Sequence, residues 1–322
     1  MATILVTGVG AVIGYGVLRS MANTGHQLIG LDIYADAYGQ HLSHNFVQAI
    51  PTADPAYPAF LENVLRRYKP DLVLPCIEQD VARFDGLRSL FSDLGIACCL
   101  NARELIALAN DKWRFHEAER ANGLPSIESS PSSDFDELVS KLGLPFLLKP
   151  RQSYAGKGIV EISSRAQFEN HQSRMGKTLF AQRIVGSKEE EYTVGLFGSG
   201  SGSFCAQIQM RRILSSEGAT QKAWVVNEET LTDRLAALCA VFKPLGPTNL
   251  QFRREGDLWH LLEINPRISS AASLRAAFGY NDAEQALKYY VHGEMPEQPH
   301  IRGGRAIRYI EDHIEFDDRT YF

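Results

Sequence analysis

Short apolar runs alternate with longer amphipathic stretches along the first hundred residues. Residues 3–7, 27–31, 71–75 and 95–100 are runs of strand length, and residues 56–68 and 79–91 carry apolar positions at helical spacing. A helix running to about residue 22 follows the first run, across the glycine-rich segment Gly8-Val-Gly10-Ala-Val-Ile-Gly14. Strand and helix alternating at this pitch predict a parallel, doubly wound sheet over roughly residues 1–100. A helical stretch over 102–122 comes next, then a Ser- and Pro-rich connection over 127–136. Thereafter strands dominate, at 145–150, 159–162, 178–185 and 192–197, with a Gly/Ser turn at 198–203. Helices return at 229–242, 270–278 and 282–292.

The segment from Pro247 to Arg267, PTNLQFRREGDLWHLLEINPR, reads as a hairpin turning at Arg254-Glu255-Gly256-Asp257. Extended chain alternates its faces, so Glu263, Asn265 and Arg267 are expected to share one side, with Leu262 and Ile264 on the core side. A carboxylate, an amide and a guanidinium aimed into one space suit a site that holds Mg²⁺ on phosphate oxygens; an ordinary hairpin with a polar face also accounts for the spacing.

Composition narrows the function classes. The 322 residues carry a net charge of −5 with Lys and Arg scattered, so no nucleic-acid footprint is present. Five cysteines without a CxxC pair argue against a disulfide framework or a zinc site, and Cys76, Cys98 and Cys99 read as small core residues. His41 and His44 are the nearest histidine pair and lack metal-ligand spacing. No apolar run approaches the roughly 18 residues of a membrane span. The N-terminus goes directly into a strand-like run without a basic leader, which makes the cytoplasm the expected location.

Three further stretches carry chemistry. Gly8, Gly10 and Gly14, with Asp32 ending the next strand, superficially suit a dinucleotide site, and an NAD(P)-dependent oxidoreductase is the alternative they raise. Their spacing is G-x-G-x-x-x-G, however, which favours a close-packed strand-to-helix turn or a substrate-facing loop. Lys149-Pro150 ends an apolar run and leads into Ala155-Gly156-Lys157-Gly158, where lysine charge and glycine backbone could meet phosphate oxygens. Gln182-Arg183-Ile184-Val185-Gly186 precedes the acidic run Glu189-Glu190-Glu191, where an apolar strand edge offers backbone groups to an adenine and acids could meet ribose hydroxyls. Arg211-Arg212 reads as an exposed basic strand. Glu78, after the run at 71–75, either holds a substrate amine or starts the next helix.

Taken in order, Asp111-Lys112, Lys149 with Gly156–Gly158, Gln182…Glu189 and Gln251…Glu263-Ile-Asn265-Pro-Arg267 resemble the ATP-grasp superfamily, nearest its carbamoyl-phosphate-synthase-like and carboxylate–amine ligase branch. The resemblance spans nearly the whole chain. It implies an α/β chain in which a Rossmann-like pre-ATP-grasp domain (1–105) precedes a two-subdomain α+β ATP-grasp fold, with a phosphate lid subdomain over 106–186 and a metal and acceptor subdomain over 187–322. It implies Lys112 and Lys149 on the phosphates, Gly156, Lys157 and Gly158 as the lid, Gln182 and Ile184 at the adenine largely through backbone atoms, and Glu189 on the ribose, with Glu191 as the alternative. Gln251, Glu263 and Asn265 would hold two Mg²⁺ ions, with Mn²⁺ able to substitute, and Arg267 and Lys149 would act on the transferring phosphate. Many relatives have a carboxylate at the Gln251 position, so one ion should be held more weakly. The implied activity is an ATP-dependent, ADP-forming ligation of a small-molecule carboxylate, such as an amino acid, to an amine through an acyl phosphate. Carboxyphosphate or carbamoyl-phosphate chemistry is the alternative within the family. No nucleic-acid or membrane partner is implied, and a homodimer is permitted.

Overall fold

Three sheets follow one another along the chain in the computed structural model, which describes residues 1–153, 156–216, 218–317 and 319. Ala155, named above in the second glycine loop, lies outside the described residues.

The first sheet contains β1 (Thr3–Thr7), β2 (Gln27–Asp32), β3 (Asn45–Gln48), β4 (Leu72–Leu74) and β5 (Ala97–Cys98) in the order β3-β2-β1-β4-β5. All of its pairings are parallel. Its strands read as unbroken apolar runs because both faces are covered. Ile4 and Val6 enter one core cluster and Leu5 the other, as the two-residue period requires. One of those clusters is completed from the far end of the chain: Ile268, Ala272, Ala283, Ala286 and Leu287 pack on it. Asn281 Nδ2 also donates to Ser20 O at 2.9 Å, and Tyr290 Oη to Leu100 O at 3.0 Å. The last two helices thus fasten the third sheet's segment onto the first.

The second sheet, β6 (Ser129–Ser130), β7 (Phe146–Pro150), β8 (Val160–Ile162) and β9 (Leu179–Arg183), has the order β6-β9-β7-β8 and a small core of its own around Phe146, Leu148 and Phe168. The third is β10 (Glu191–Ser199), β11 (Phe204–Leu214), β12 (Thr220–Val226), β13 (Leu245–Glu255), β14 (Leu258–Asn265) and β15 (Arg305–Ile307), ordered β14-β13-β10-β11-β12-β15 and antiparallel throughout.

Several expectations need correction. The helix expected over 79–91 is two, Glu78–Asp85 and Arg88–Leu94, broken at Gly86-Leu87. The stretch 102–122 is also two helices, Arg103–Ala109 and Lys112–Ala121. Asp111 makes that break, because its side chain accepts from the backbone N–H of Trp113 and Arg114 and starts a new helix. The connection at 127–136 holds β6 and the start of helix Phe135–Leu142, whose N-cap is Asp134. Edge strand β3 was missed; its four residues are half-buried or exposed, so no apolar run marks it.

The hairpin differs at one position. Gln251 pairs with Glu263 but Phe252 pairs with Leu261, so Leu262 is the extra residue of a β-bulge. Leu261, 1% exposed, therefore takes the core place expected for Leu262, and Ile264 is buried as expected. The strand ends at Asn265, so Arg267 lies beyond it in a bend rather than on the strand.

Candidate active site

β13 and β14 build the floor. Gln251 lies opposite Glu263 and Asn249 opposite Asn265. Asn265 Nδ2 donates to Glu263 Oε1 at 2.7 Å. Beyond the strand, Arg267 donates through Nη1 to Ile268 O at 2.9 Å and through Nη2 to Asn265 Oδ1 at 3.3 Å and to Glu78. Glu78 is the first residue of its helix, and it also faces this site. The expectation that it starts a helix holds, and its side chain also lines the cavity.

Helix Lys112–Ala121 and β7 supply the opposing charge. Asp111 pairs with Arg151 at 2.6 Å, and Lys112 N donates to Arg151 O at 2.9 Å, which clamps the helix start to the beginning of the glycine loop. Lys112 Nζ stands 3.7 Å from Glu263 Oε2 and also donates to Ser153 O. Lys149 is buried at the end of β7, where Nζ donates to Gln182 Oε1 at 3.0 Å. Glu78, Lys112, Ser153, Glu263, Asn265 and Arg267 line a cavity of about 420 Å³. Gly156, Lys157 and Gly158 are exposed, with Gly156 at φ +68° and Gly158 at φ +78°.

The charges interlock. Burial opposes ionisation of Glu263, but Lys112, the Asn265 N–H, Arg267 and Lys149 outweigh it and hold the carboxyl below its usual range. Burial pushes Lys149 the other way, down to about 8; Glu263 opposes the shift and Lys112 adds to it. An anion entering between two lysines so placed would relieve their mutual repulsion. A divalent cation fits the floor in kind: Glu263 is a carboxylate held ionised, and Asn265 and Gln251 are amides with neutral oxygens. Gln251 Oε1 accepts from Arg212 Nη2 at 2.7 Å, which leaves its second lone pair available.

The remaining expected residues lie outside the lining of this cavity. Gln182 turns its side chain inward to Lys149, and Ile184 follows the end of β9, half-buried. Glu189 is exposed in the 3₁₀ turn Lys188–Glu190. Glu191 is buried with both oxygens committed, Oε1 to Arg212 at 2.8 Å and Oε2 to Arg253 at 3.2 Å. The expected exposed basic strand is half right. Arg211 lies over Trp224 at 5.1 Å from the ring centroid, but Arg212 is only 4% exposed. Its parity could have shown this, because Ala206, Ile208, Met210 and Arg212 all face inward. Sequence reading also missed buried His116 and Glu119, which no spacing distinguishes from an ordinary helix face.

The first glycine loop has the opposite character. A Cβ on Gly14 would lie 2.3 Å from Gly8 O, so close packing requires glycine there. Asp32 spends both oxygens on its surroundings, accepting from Gly10 N at 2.7 Å and Tyr34 N at 3.0 Å. The adjoining cavity of about 260 Å³ also holds Asp80, which accepts from Thr7 and which burial pushes up to about 6. No Lys, Arg or His among the described residues lines it, while Asp32 and Asp80 both do, so its side chains bring no positive charge to a phosphate. The oxidoreductase alternative has no support.

Comparison with known proteins bears on the sequence and the fold. Residues 187–313 match the family model described as ATP-grasp in the biosynthetic pathway with Ter operon. The carbamoyl phosphate synthase large chains of Lachnoclostridium phytofermentans and Thermotoga petrophila are 23% and 24% identical over 82% of this chain. The matched part is 27% and 26% of those proteins, so the chain spans about a quarter of their length. The N5-carboxyaminoimidazole synthetase of Staphylococcus aureus, solved with ADP, superposes with a TM-score of 0.68 at 18% identity, covering 93% of this chain and 80% of its own. Biotin carboxylase of Campylobacter jejuni, solved as a β-γ-ATP complex, gives 0.72 at 15% identity, covering 94% and 74%. Residues 187–313 thus match an ATP-grasp family model, most of the chain is similar to carbamoyl phosphate synthase large chains, and nearly all of it shares the fold of these two solved enzymes.

Proposed function

We propose that this chain is an ATP- and Mg²⁺-dependent ligase that activates a carboxylate as an acyl phosphate and passes the acyl group to an amine, releasing ADP and phosphate. The observation that carries the reading is the approach of Lys112 Nζ to within 3.7 Å of Glu263 Oε2 across a cavity that Arg267 and Glu78 also line. Cations and an ionised carboxylate held this close suit a polyphosphate with its metal.

In this reading Lys112 and Lys149 bind the phosphates, and Gly156, Lys157 and Gly158 cover them. Residues 182–184 lie along the adenine, and Glu189 meets the ribose, since Glu191 is already held by two arginines. Glu263, Gln251 and Asn265 would hold Mg²⁺, as two ions with Mn²⁺ able to substitute, and the metal would supply charge neutralisation on the phosphate oxygens. Arg267 adds a guanidinium where charge develops as the substrate carboxylate attacks the γ-phosphate. Glu78, joined to Arg267, is placed to meet the amine. Positioning supplies the remainder, so no side-chain nucleophile is needed. The sheet succession supports dividing the chain into a Rossmann-like pre-ATP-grasp domain (1–105), a lid subdomain (106–186) and a metal subdomain (187–322), with residues 268–291 returning to the first.

The test is ADP release from Mg·ATP across amino acids and other small carboxylates, with hydroxylamine as the trapping amine. A carboxylate that stimulates ADP release and yields a hydroxamate is the expected result. Stimulation by bicarbonate alone would instead favour carboxyphosphate chemistry, the second reading, which the fold shared with a biotin carboxylase supports. No stimulation by any of them, with Mg·ATP bound, would overturn the ligase reading.

A further inference from the structure

Behind the lysine read as a phosphate ligand, a buried chain of hydrogen bonds runs on through His116, Glu119 and Arg234, which the proposed reaction does not use. Lys149 Nζ donates to Gln182 Oε1 at 3.0 Å. Gln182 Nε2 lies 2.9 Å from His116 Nε2 and 3.0 Å from Ser129 Oγ. His116 Nδ1 lies 3.2 Å from Glu119 Oε2, and Arg234 Nη2 donates to Glu119 Oε1 at 2.9 Å. Lys149, Gln182, His116, Glu119 and Arg234 are all under 10% exposed. They come from β7, β9, helix Lys112–Ala121 and helix Glu229–Phe242, so the chain ties the second sheet to the third sheet's helix layer.

Donor and acceptor roles along this chain favour one assignment. Arg234 can only donate, which makes Glu119 an acceptor on that side. Its other oxygen faces Nδ1, and burial raises this carboxyl to about 8 against the pull of Arg234. The ring's tautomer therefore follows from the far side, where Gln182 Nε2 faces His116 Nε2 and calls for a lone pair there and the proton on Nδ1. Ser129 Oγ already gives its proton to Ile127 O at 2.9 Å, so it too faces Gln182 as an acceptor. Two acceptors therefore claim the two N–H groups of Gln182, and its oxygen must point at Lys149. Burial, reinforced by Lys149, Arg120 and Lys112, lowers the His116 imidazole to about 3, in keeping with a neutral ring.

We propose that His116 is a positioning residue for nucleotide phosphate binding: its neutral Nδ1–H form fixes the Gln182 amide so that the amide oxygen holds Lys149 aimed at the phosphates. This rests on the reading of Lys149 as a phosphate ligand. The effect should appear on ligands with phosphates and spare those without, because His116 acts through Lys149 and not on the adenine.

The test compares affinities for Mg·ADP and for adenosine. His116→Phe should weaken Mg·ADP about tenfold, as expected for one buried polar group left unpaired, and leave adenosine unchanged. Adding Gln182→Glu, whose carboxylate offers an acceptor whichever way it turns, should restore Mg·ADP to within about twofold. An unchanged Mg·ADP affinity, an equal loss for adenosine, or no restoration in the double variant would each overturn the proposal. Lys149→Met separates the two levels. If it leaves Mg·ADP unaffected, the phosphate-ligand reading itself fails; if it weakens Mg·ADP while His116→Phe does not, only the role of His116 fails. Should His116→Phe not fold, imidazole ¹⁵N shifts of the unaltered protein decide: a neutral Nδ1–H ring is expected, and a charged or Nε2–H ring would overturn the assignment.

Discussion

Two acidic regions of this molecule look alike in sequence and differ in what surrounds them. In the first sheet, Asp32 and Asp80 border a cavity beside the glycine loop, and the described residues bring no basic side chain to its lining. Asp32 accepts from Gly10 N and Tyr34 N, and Asp80 accepts from Thr7 Oγ1 at the end of β1. In the third sheet, Glu263 faces Lys112 at 3.7 Å, with Lys149 and Arg267 close enough to depress its protonation. The first arrangement brings no basic side chain to a polyphosphate. The second concentrates opposite charges around open space, which is costly to fold unless something is bound between them. Counter-charge, more than glycine spacing, separates a structural turn from a nucleotide site.

The largest expected effect follows from removing the acid in the second region. Glu263→Gln should lower substrate-dependent ADP formation by about a thousandfold or more while the melting temperature moves little. Retained turnover would erase the distinction between the regions. Next comes the buried guanidinium of Arg275, which donates to Asn249 Oδ1 at 2.6 Å and Thr193 Oγ1 at 3.1 Å and pairs with Asp282. Arg275→Met should cost about 3–5 kcal/mol of stability, because Asp282 is left as an uncompensated buried charge. Denaturant unfolding measures that.

Lys149 gives a pH signature. Its folded value of about 8 lies below the ordinary lysine range, so the unfolded chain holds a proton that the folded one has released. Stability of the ligand-free protein should therefore rise as pH climbs from about 8 toward the ordinary lysine value, and Lys149→Met should flatten that rise. Over the same interval Mg·ATP affinity should fall, since the lysine loses the charge that phosphate needs. The smallest effect is expected in the first region. Asp32→Asn keeps one acceptor and should cost about 1 kcal/mol with ADP formation unchanged; a large catalytic loss would return function to the glycine loop.

Sequence reading was strongest where local pattern and tertiary demand agree. Helices Glu229–Phe242 and Asp282–His292 lie where expected, as does the parallel sheet, because apolar period and burial coincide there. It failed where a single side chain overrides the period. Asp111 splits one expected helix into two, and the bulge at Leu262 shifts the core position by one residue. Within the candidate site, the charged residues of the hairpin and Lys112 could be named because spacing and order expose them. Arg212 was legible only through strand parity, and the chain from Lys149 to Arg234 not at all, since its contacts join residues up to 115 positions apart and only the fold creates them.

The central claim is that Lys112, Lys149 and Glu263 enclose the phosphates of a magnesium nucleotide. Calorimetric titration of the unaltered protein with Mg·ADP, repeated without magnesium and with Lys149→Met, tests it most directly. The account predicts saturable binding that weakens at least about tenfold in either control. Binding indifferent to both the metal and the lysine, or no binding, would contradict it.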